Sequence, residues 1–178
     1  MSLDPRTQGQ GSGLDDIRLS YDALFEKSEA ELHMRRKIAG IDVQFPLMFG
    51  ALTGGIQAAA TFNTALRSLA AQHGLAMCLG SMRAALKNPA LVPTYGTGHV
   101  NALFANIGIS EIVHQTYTVT EIAQCCEKLG ASGLMIHLNG LQEWVQEEGD
   151  HHVCCPLSVL ERFVTAFPLP ILIKEVGL

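Results

Sequence analysis

Five short apolar runs of the sequence each end in a side chain that can hydrogen bond or carry a charge. These side chains belong to Thr53, Ser81, Asn106, His137 and Lys174. If the runs are parallel strands, their carboxyl ends meet at one edge of a sheet, where loops can carry chemistry without disturbing the packed interior. A single polar side chain at a strand end is commonly just solvated, but five in succession favour a common function. The pattern predicts a binding site for a small molecule at that edge.

Two of these ends carry nitrogen groups that suit an anionic ligand. Alternation along a strand places His137 and Asn139 on the same face as Met135, so both polar groups point the same way. Lys174 follows an apolar run and could bind an anion, act as a Schiff-base nucleophile if its pKa were depressed, or pair with a neighbouring carboxylate. The residues alone leave these three roles of Lys174 open.

An acidic segment follows the fourth apolar run. Residues 140–150 contain four carboxylates and two amides, and the first of these carboxylates is Glu143. Oxygen ligands of this kind hold hard cations, so the segment indicates Mg²⁺ bridging to a phosphate-bearing substrate. The alternative is a solvated acidic turn.

The elements that must position these residues alternate between strands and helices. The apolar runs 46–52, 75–81, 102–108, 133–139 and 170–176 begin about 31 residues apart, the pitch of a (β/α)₈ barrel of about 250 residues. We therefore expect an α/β fold, a TIM barrel of which this chain covers about the first five β/α units. An open doubly wound sheet is the alternative, because five strands would complete it.

Helical periodicity separates the apolar runs. A stripe predicts a helix over 57–73, with its buried face formed by Ala58, Phe62, Ala65, Leu66, Leu69 and Ala70. Thr118 and Glu121 form a capping-box pattern that opens a second helix, which Gly130 can close. A third helix is expected over 156–167, and a short one begins near Arg83 before Pro89 interrupts it.

Composition excludes several classes of protein. The chain has 178 residues, of which 48% are hydrophobic and 16% charged, so it is neither disordered nor collagen-like. Its net charge of −5, with no basic block longer than residues 35–37, disfavours a nucleic-acid partner. Gly and Pro interrupt every long uncharged stretch, which disfavours a membrane span. We expect residues 1–13 to form a flexible tail and residues 14–178 to form the barrel domain.

The amino terminus and the cysteines favour a reducing compartment. No apolar secretory segment follows Met1, so a cytoplasmic location is expected. The five cysteines include two adjacent pairs and no C-x-x-C spacing, which disfavours both a disulfide framework and a zinc site. Cys126 is expected to be a small apolar residue on a helix face.

Six motifs, in order, resemble the type 2 isopentenyl-diphosphate isomerases, FMN-dependent (β/α)₈ barrels that interconvert isopentenyl and dimethylallyl diphosphate in isoprenoid biosynthesis. They are ALTGG at 51–55, GSMRAAL at 80–86, FANIG at 104–108, HLNGLQE at 137–143, EGD at 148–150 and IKEVG at 173–177. The resemblance extends from Gly13 to the last residue. The His-x-Asn-x-x-Gln-Glu element is its most specific piece.

The resemblance implies a role for each matching residue. Those that would bind FMN are Thr53, Gly54, Ser81, Asn106 and Lys174. Those on the substrate side are Arg83, His137, Asn139 and Gln142. Glu143 would bind the Mg²⁺ that holds the substrate diphosphate, and Gln142, His137 and Glu143 are the candidate catalytic residues. FMN would be reduced by NADPH and would serve in acid/base or charge-stabilising chemistry without net redox change.

Further expectations follow from the same resemblance. The partner is a small-molecule diphosphate, a homo-oligomer is expected, and the loops that hold the FMN phosphate would lie beyond residue 178. Two alternatives stay open. One is an FMN-dependent barrel that oxidises 2-hydroxy acids. The other is a catalytically inactive half-barrel that persists by self-association or by docking to a partner.

Overall fold

The computed structural model describes residues 16–21, 23, 24, 26, 28–138, 140–145 and 157–175. The chain groups into two compact units, one of Met1–His33 with Val176–Leu178 and the other of Met34–Glu175. In the first unit a 3₁₀ turn spans Glu29–Glu31, and the Ser28 backbone N–H donates to the Glu31 carboxylate at 2.7 Å. All strands and α-helices of the described chain belong to the second unit.

Seven strands are found among the described residues. They are β1 (Arg36–Ile38), β2 (Ile41–Val43), β3 (Met48–Phe49), β4 (Ala76–Ser81), β5 (Ala102–Gly108), β6 (Gly133–His137) and β7 (Ile171–Lys174). Strands β1 and β2 form an antiparallel hairpin, whereas β3 to β7 form one five-stranded sheet in which all neighbours are parallel. The five predicted strands are therefore confirmed, with the first reduced to two residues.

The order of the strands argues against the doubly wound sheet, one of the two predicted architectures. In the sheet, β3, β4, β5, β6 and β7 lie side by side in the order in which they occur along the chain. A doubly wound sheet reverses its strand order at a switch point, and no reversal occurs among these strands. The chain has an α/β fold with a curled, parallel half-barrel sheet.

One or more helices follow each strand of the parallel sheet except the last, β7. They are α1 (Ala59–His73), α2 (Arg83–Lys87), α3 (Ile109–Val113), α4 (Val119–Leu129), α5 (Gly140–Val145) and α6 (Leu157–Ala166), and a 3₁₀ helix spans Pro89–Tyr95. The three longer helices lie where periodicity predicts them. Of the acidic segment, the first six residues form α5, and the other three carboxylates lie outside the described residues.

The ends of α4 agree with the capping pattern. The Thr118 hydroxyl accepts a hydrogen bond from the Glu121 backbone N–H at 3.2 Å, and the Glu121 carboxylate accepts from the Thr118 N–H at 2.7 Å. The bonds that the Glu121 carboxylate accepts from the Thr118 N–H and from the Thr118 hydroxyl lower the pKa of Glu121. Gly130 ends the helix in the left-handed region, at φ 69°. Both boundary signals are thus confirmed.

The predicted buried face of α1 is only partly correct: Ala70 is buried and Leu66 packs against the core, but other predicted members are exposed. Its buried residues are Ala59, Asn63, Arg67 and Ala70, whereas Phe62 and Leu69 are 47% and 45% exposed. The helix is rotated because two polar side chains on the buried face find carbonyl partners there. Asn63 donates to backbone carbonyls of Thr53 and Thr94, and Arg67 donates to three more. Hydrogen bonding therefore outweighs the burial of two large apolar side chains in setting this face.

The sheet separates two apolar clusters. The cluster on the helical side contains Leu103, Ile107, Leu134 and Ile136, packed with residues of α1, α4 and α6. The cluster on the other face is built by Ala76, Cys78, Ala102, Phe104 and Met135, with Val43 of the hairpin packed against it. We call this second face the inner face.

The hairpin lies at the amino-terminal edge of the inner face. The Asn101 side chain, next to the start of β5, donates to the Asp42 carbonyl at 2.9 Å and attaches the hairpin there. A ligand would therefore approach the inner face from its opposite end, where the strands terminate.

The described ranges contain neither a metal-binding cluster nor a helix that could span a membrane. Within them, no group of three or more His, Cys, Asp or Glu side chains is placed to hold a metal ion. Cys126 is fully buried on α4, as expected for a small apolar residue, and burial raises its pKa to about 12. No helix in this part of the chain has the length and apolar character needed to cross a membrane.

Candidate functional site

The strand register brings four predicted site residues into two neighbouring pairs. Ser81 on β4 lies opposite Asn106 on β5, beyond an irregularity in the pairing that begins at Cys78. His137 on β6 lies opposite Lys174 on β7. Partners in a parallel ladder share a face, and Met135, two residues before His137, belongs to the inner cluster. His137 and Lys174 therefore stand on the inner face at its carboxyl end.

Two side-chain atoms at this end lack hydrogen-bond partners. Asn106 is 6% exposed, and its Oδ1 has no partner among the described residues; the same holds for the buried Nε2 of His137. Buried polar groups are nearly always satisfied, so an unsatisfied pair in one place needs an explanation. A bound ligand that offers hydrogen-bonding groups would supply one.

The surroundings of His137 favour its neutral form. Desolvation lowers the pKa of this imidazole, and the Lys174 charge lowers it further, whereas Glu175 and Glu143 act in the opposite direction. A lowered pKa keeps the ring uncharged near neutral pH. His137 can then offer one ring nitrogen as a donor and the other as an acceptor.

Buried polar side chains hold the loop that follows β3. Asn63 Nδ2 donates to the Thr53 carbonyl at 3.2 Å and to the Thr94 carbonyl at 2.9 Å. Thr94 Oγ1 accepts from the Gly55 N–H at 2.9 Å. The Tyr95 hydroxyl donates to the Ser81 carbonyl at 2.6 Å. The first two strand ends are thereby fixed to the 3₁₀ helix and to α1.

Gly54 is required by the close approach of Tyr95. A Cβ atom added at Gly54 would lie within 3.0 Å of three carbon atoms of the Tyr95 ring. The loop can therefore pass over the ring only if residue 54 has no side chain. The ring is buried and its hydroxyl is bonded, so it has little freedom to move.

A charged cluster borders these strand ends. Arg83, at the start of α2, forms an ion pair with Glu111 of α3, with Nη1 and Oε1 3.2 Å apart. Glu111 is 6% exposed; burial raises the pKa of its carboxyl, Arg83 opposes the rise and Glu143 adds to it. Glu143, on α5, is also 6% exposed. Arg83, Glu111 and Glu143 thus interact electrostatically beside the sheet edge.

Some predicted residues cannot be placed in this arrangement. Asn139 lies outside the described residues, as do residues 146–156, which hold the rest of the acidic segment. The backbone of Gln142 belongs to α5, but its side chain lies outside the description. Thr53 and Lys174 are partly exposed, and Ser81 is exposed, so the edge is open to solvent.

Sequence reasoning missed several residues that shape this edge. They are Asn63, Arg67, Thr94, Tyr95 and Glu111. A signal existed for two of them, since Asn63 and Arg67 are four residues apart and share one side of a helix. Glu111 follows β5 by three residues, where a carboxylate near a strand end could have been examined. Nothing in the local pattern marks Thr94 or Tyr95, because their partners are distant in sequence.

Comparisons with known proteins give a consistent set of relatives. No protein-family model matches the chain. A curated isopentenyl-diphosphate delta-isomerase of Pelodictyon phaeoclathratiforme is 34% identical over 173 residues, which cover 95% of this chain and 48% of the relative. The protein of the same name from Symbiobacterium thermophilum is 33% identical over 177 residues, covering 97% and 47%. That of a Synechocystis species is 33% identical over 173 residues, covering 96% and 49%.

The chain spans about half the length of the curated relatives it matches. Identity of about one third that extends along nearly the whole chain indicates common ancestry and not a shared short motif. This chain is therefore homologous, over nearly all of its own length, to about half of the length of each of these relatives, which are named isopentenyl-diphosphate delta-isomerase.

Proposed function

We propose that this chain forms part of a type 2 isopentenyl-diphosphate isomerase, a (β/α)₈ barrel that uses FMN, NADPH as reductant and Mg²⁺. The observation that carries the proposal is the pair of unpartnered buried atoms, Asn106 Oδ1 and His137 Nε2, at the carboxyl end of the sheet. The names of the homologues support an isomerase over the 2-hydroxy-acid oxidising alternative.

The residues present fit a flavin at this edge. Asn106, Ser81, Thr53 and Lys174 would hold FMN, with the backbone of Thr53 and Gly54 near the flavin ring, as the resemblance implies. An unpartnered amide oxygen suits a donor group on the ring edge. Reduced flavin, when bound, would supply the acid/base or charge-stabilising chemistry that a double-bond shift needs.

The charged cluster suits the diphosphate end of the substrate. Glu143 is a buried carboxylate that could hold Mg²⁺, which commonly binds one or two carboxylates together with substrate phosphates. Arg83, which is half-exposed, would contact the diphosphate directly. With its lowered pKa, His137 would act near the substrate as a neutral hydrogen-bonding group. Asn139 and Gln142 would orient the substrate between these groups.

A flavin titration of Asn106→Leu tests the proposal. We expect the unchanged chain to quench FMN fluorescence, and the variant to bind at least tenfold more weakly. Its thermal stability should be unchanged or higher, because leucine removes a buried amide oxygen that has no partner. Loss of a ligand contact without loss of stability would separate a binding role from a structural one.

Asn101→Ala is the matched control. Asn101 adjoins the start of the same strand but lies at the opposite edge of the sheet, where it bonds to Asp42. This variant should bind FMN like the unchanged chain, even if it is somewhat less stable. FMN binding that Asn106→Leu leaves intact would remove Asn106 from the proposed site.

A further inference from the structure

An ion pair joins the elements that follow two adjacent strands. Arg83 begins α2 directly beyond β4, and Glu111 lies in the short helix α3 directly beyond β5. The Arg83 Nη1 atom is 3.2 Å from Glu111 Oε1. The carboxylate is almost fully buried, whereas the arginine side chain is 49% exposed. One end of the guanidinium is therefore fixed by protein, and part of the group is left accessible.

We propose that Glu111 is a positioning residue, which holds the Arg83 guanidinium in place for the diphosphate end of the substrate. The inference rests on the proposed function and goes beyond it, because Glu111 is not among the residues that the resemblance assigns. A free arginine loses rotamer entropy when it is fixed by a ligand. An arginine already held by Glu111 loses less, and its remaining donors keep their fork geometry for phosphate oxygens.

Glu143 interacts with the acidic member of this ion pair. Its charge adds to the rise in the pKa of Glu111, so the two carboxylates interact electrostatically. A diphosphate bound to a cation at Glu143 would then have Arg83 within the same cluster. The bound cation and the Arg83 guanidinium would then both neutralise negative charge on the diphosphate.

A double-mutant cycle with inorganic diphosphate tests this role. Binding would be measured by calorimetry with Mg²⁺ for the unchanged chain, Arg83→Ala, Glu111→Ala and the double variant. Removing Glu111 should weaken binding about three- to tenfold, the scale of ordering one long side chain. In the Arg83→Ala background the same change should have no further effect, since there is no guanidinium left to position.

Two further variants separate positioning from general effects. Glu111→Gln keeps an oxygen that accepts from Arg83 and should bind diphosphate within about twofold of the unchanged chain. Glu127→Ala removes the same charge from an exposed position on α4 and should leave binding unchanged.

The outcomes distinguish this inference from the proposed function. If the unchanged chain does not bind diphosphate, the proposed substrate site fails and the positioning role fails with it. If diphosphate binds without need of Arg83, the positioning role fails and Arg83 is removed from the proposed substrate site, whereas the flavin site at Asn106 is judged by its own titration. If binding needs Arg83 but not Glu111, only the positioning role fails. Tighter binding in Glu111→Ala would also overturn it, because Glu111 would then compete with the ligand for Arg83.

Discussion

His137 and Lys174 lie side by side on adjacent strands, and the charge of Lys174 affects the titration of His137. The ammonium group of Lys174 helps to lower the pKa of His137, after the larger effect of desolvation. Glu175 and Glu143 oppose both effects but do not reverse them. A neutral imidazole beside a cation is a useful arrangement for an anionic substrate, because the lysine supplies the charge and the histidine supplies directional hydrogen bonds.

Replacing Lys174 with methionine should raise the pKa of His137. In the unchanged chain we expect this ring to titrate below about 6.5, the usual value for histidine, and to move upward in Lys174→Met. The measurement is an NMR titration of the imidazole signals, with His137→Gln as the assignment standard. Lys128→Met, on the exposed side of α4, should leave the titration unchanged.

The sign of the pH effect on stability follows from the same shift. A histidine whose folded pKa lies below its unfolded value binds its proton more readily in the unfolded chain. Its contribution is fully present above about pH 6.5 and is lost as the pH falls through that value toward the folded pKa. Stability that rose on acidification through this window, or a His137 pKa above 6.5, would contradict the expected desolvation.

Among the elements, Arg67 connects parts of the chain that are distant in sequence. Its guanidinium donates to the carbonyls of Tyr95, Gly98 and Leu129 at 3.1, 3.0 and 2.9 Å. Helix α1 is thereby joined to the 3₁₀ helix, to the turn after it and to the end of α4. Burial lowers the pKa of Arg67, as expected for a cation whose neighbours are carbonyls and not carboxylates.

Arg67→Met should therefore destabilise the chain by about 3 kcal/mol or more. Methionine keeps much of the apolar stem but leaves three carbonyls without this donor, and a hydrogen bond to a charged group is worth about 1.5–3 kcal/mol. Urea unfolding followed by circular dichroism measures the change. Arg162→Met, at an exposed position on α6, should alter the free energy of unfolding by less than about 0.5 kcal/mol. Equal effects of the two variants would show that the carbonyl contacts contribute little.

The same helix shows what the sequence can and cannot predict. Existence and type were predictable for the five sheet strands and the three longer helices, since apolar runs, capping residues and glycines are local signals. The rotation of α1 was not, because the partners of Asn63 and Arg67 lie about 10 to 62 residues away. For the site, local motifs predicted which strand ends are polar. The ion pair of Arg83 with Glu111 depends on tertiary packing, which no local pattern encodes.

At the scale of the whole molecule, both edges of the described sheet bear exposed apolar side chains. Strands β3 and β7 are the edge strands among the described residues. Near β3, Leu47 and Leu52 are 61% and 62% exposed, and Ile173 on β7 is 46% exposed. An edge strand with unpaired backbone groups and apolar neighbours is a template for pairing with another chain.

The chain is accordingly expected to self-associate through its sheet edges, and Ile173→Lys should weaken that association. A lysine on an edge strand opposes pairing because its charge would be desolvated in the contact. Sedimentation velocity across a hundredfold range of concentration should show growing species for the unchanged chain and a shift toward monomer for Ile173→Lys. Leu69→Lys, at 45% exposure on α1, is the matched control and should associate like the unchanged chain.

A chain that stays monomeric at every concentration would exclude edge pairing and, with it, the half-barrel alternative in its self-associating form. If association and FMN binding were lost together in Ile173→Lys, then paired copies would be completing the flavin site.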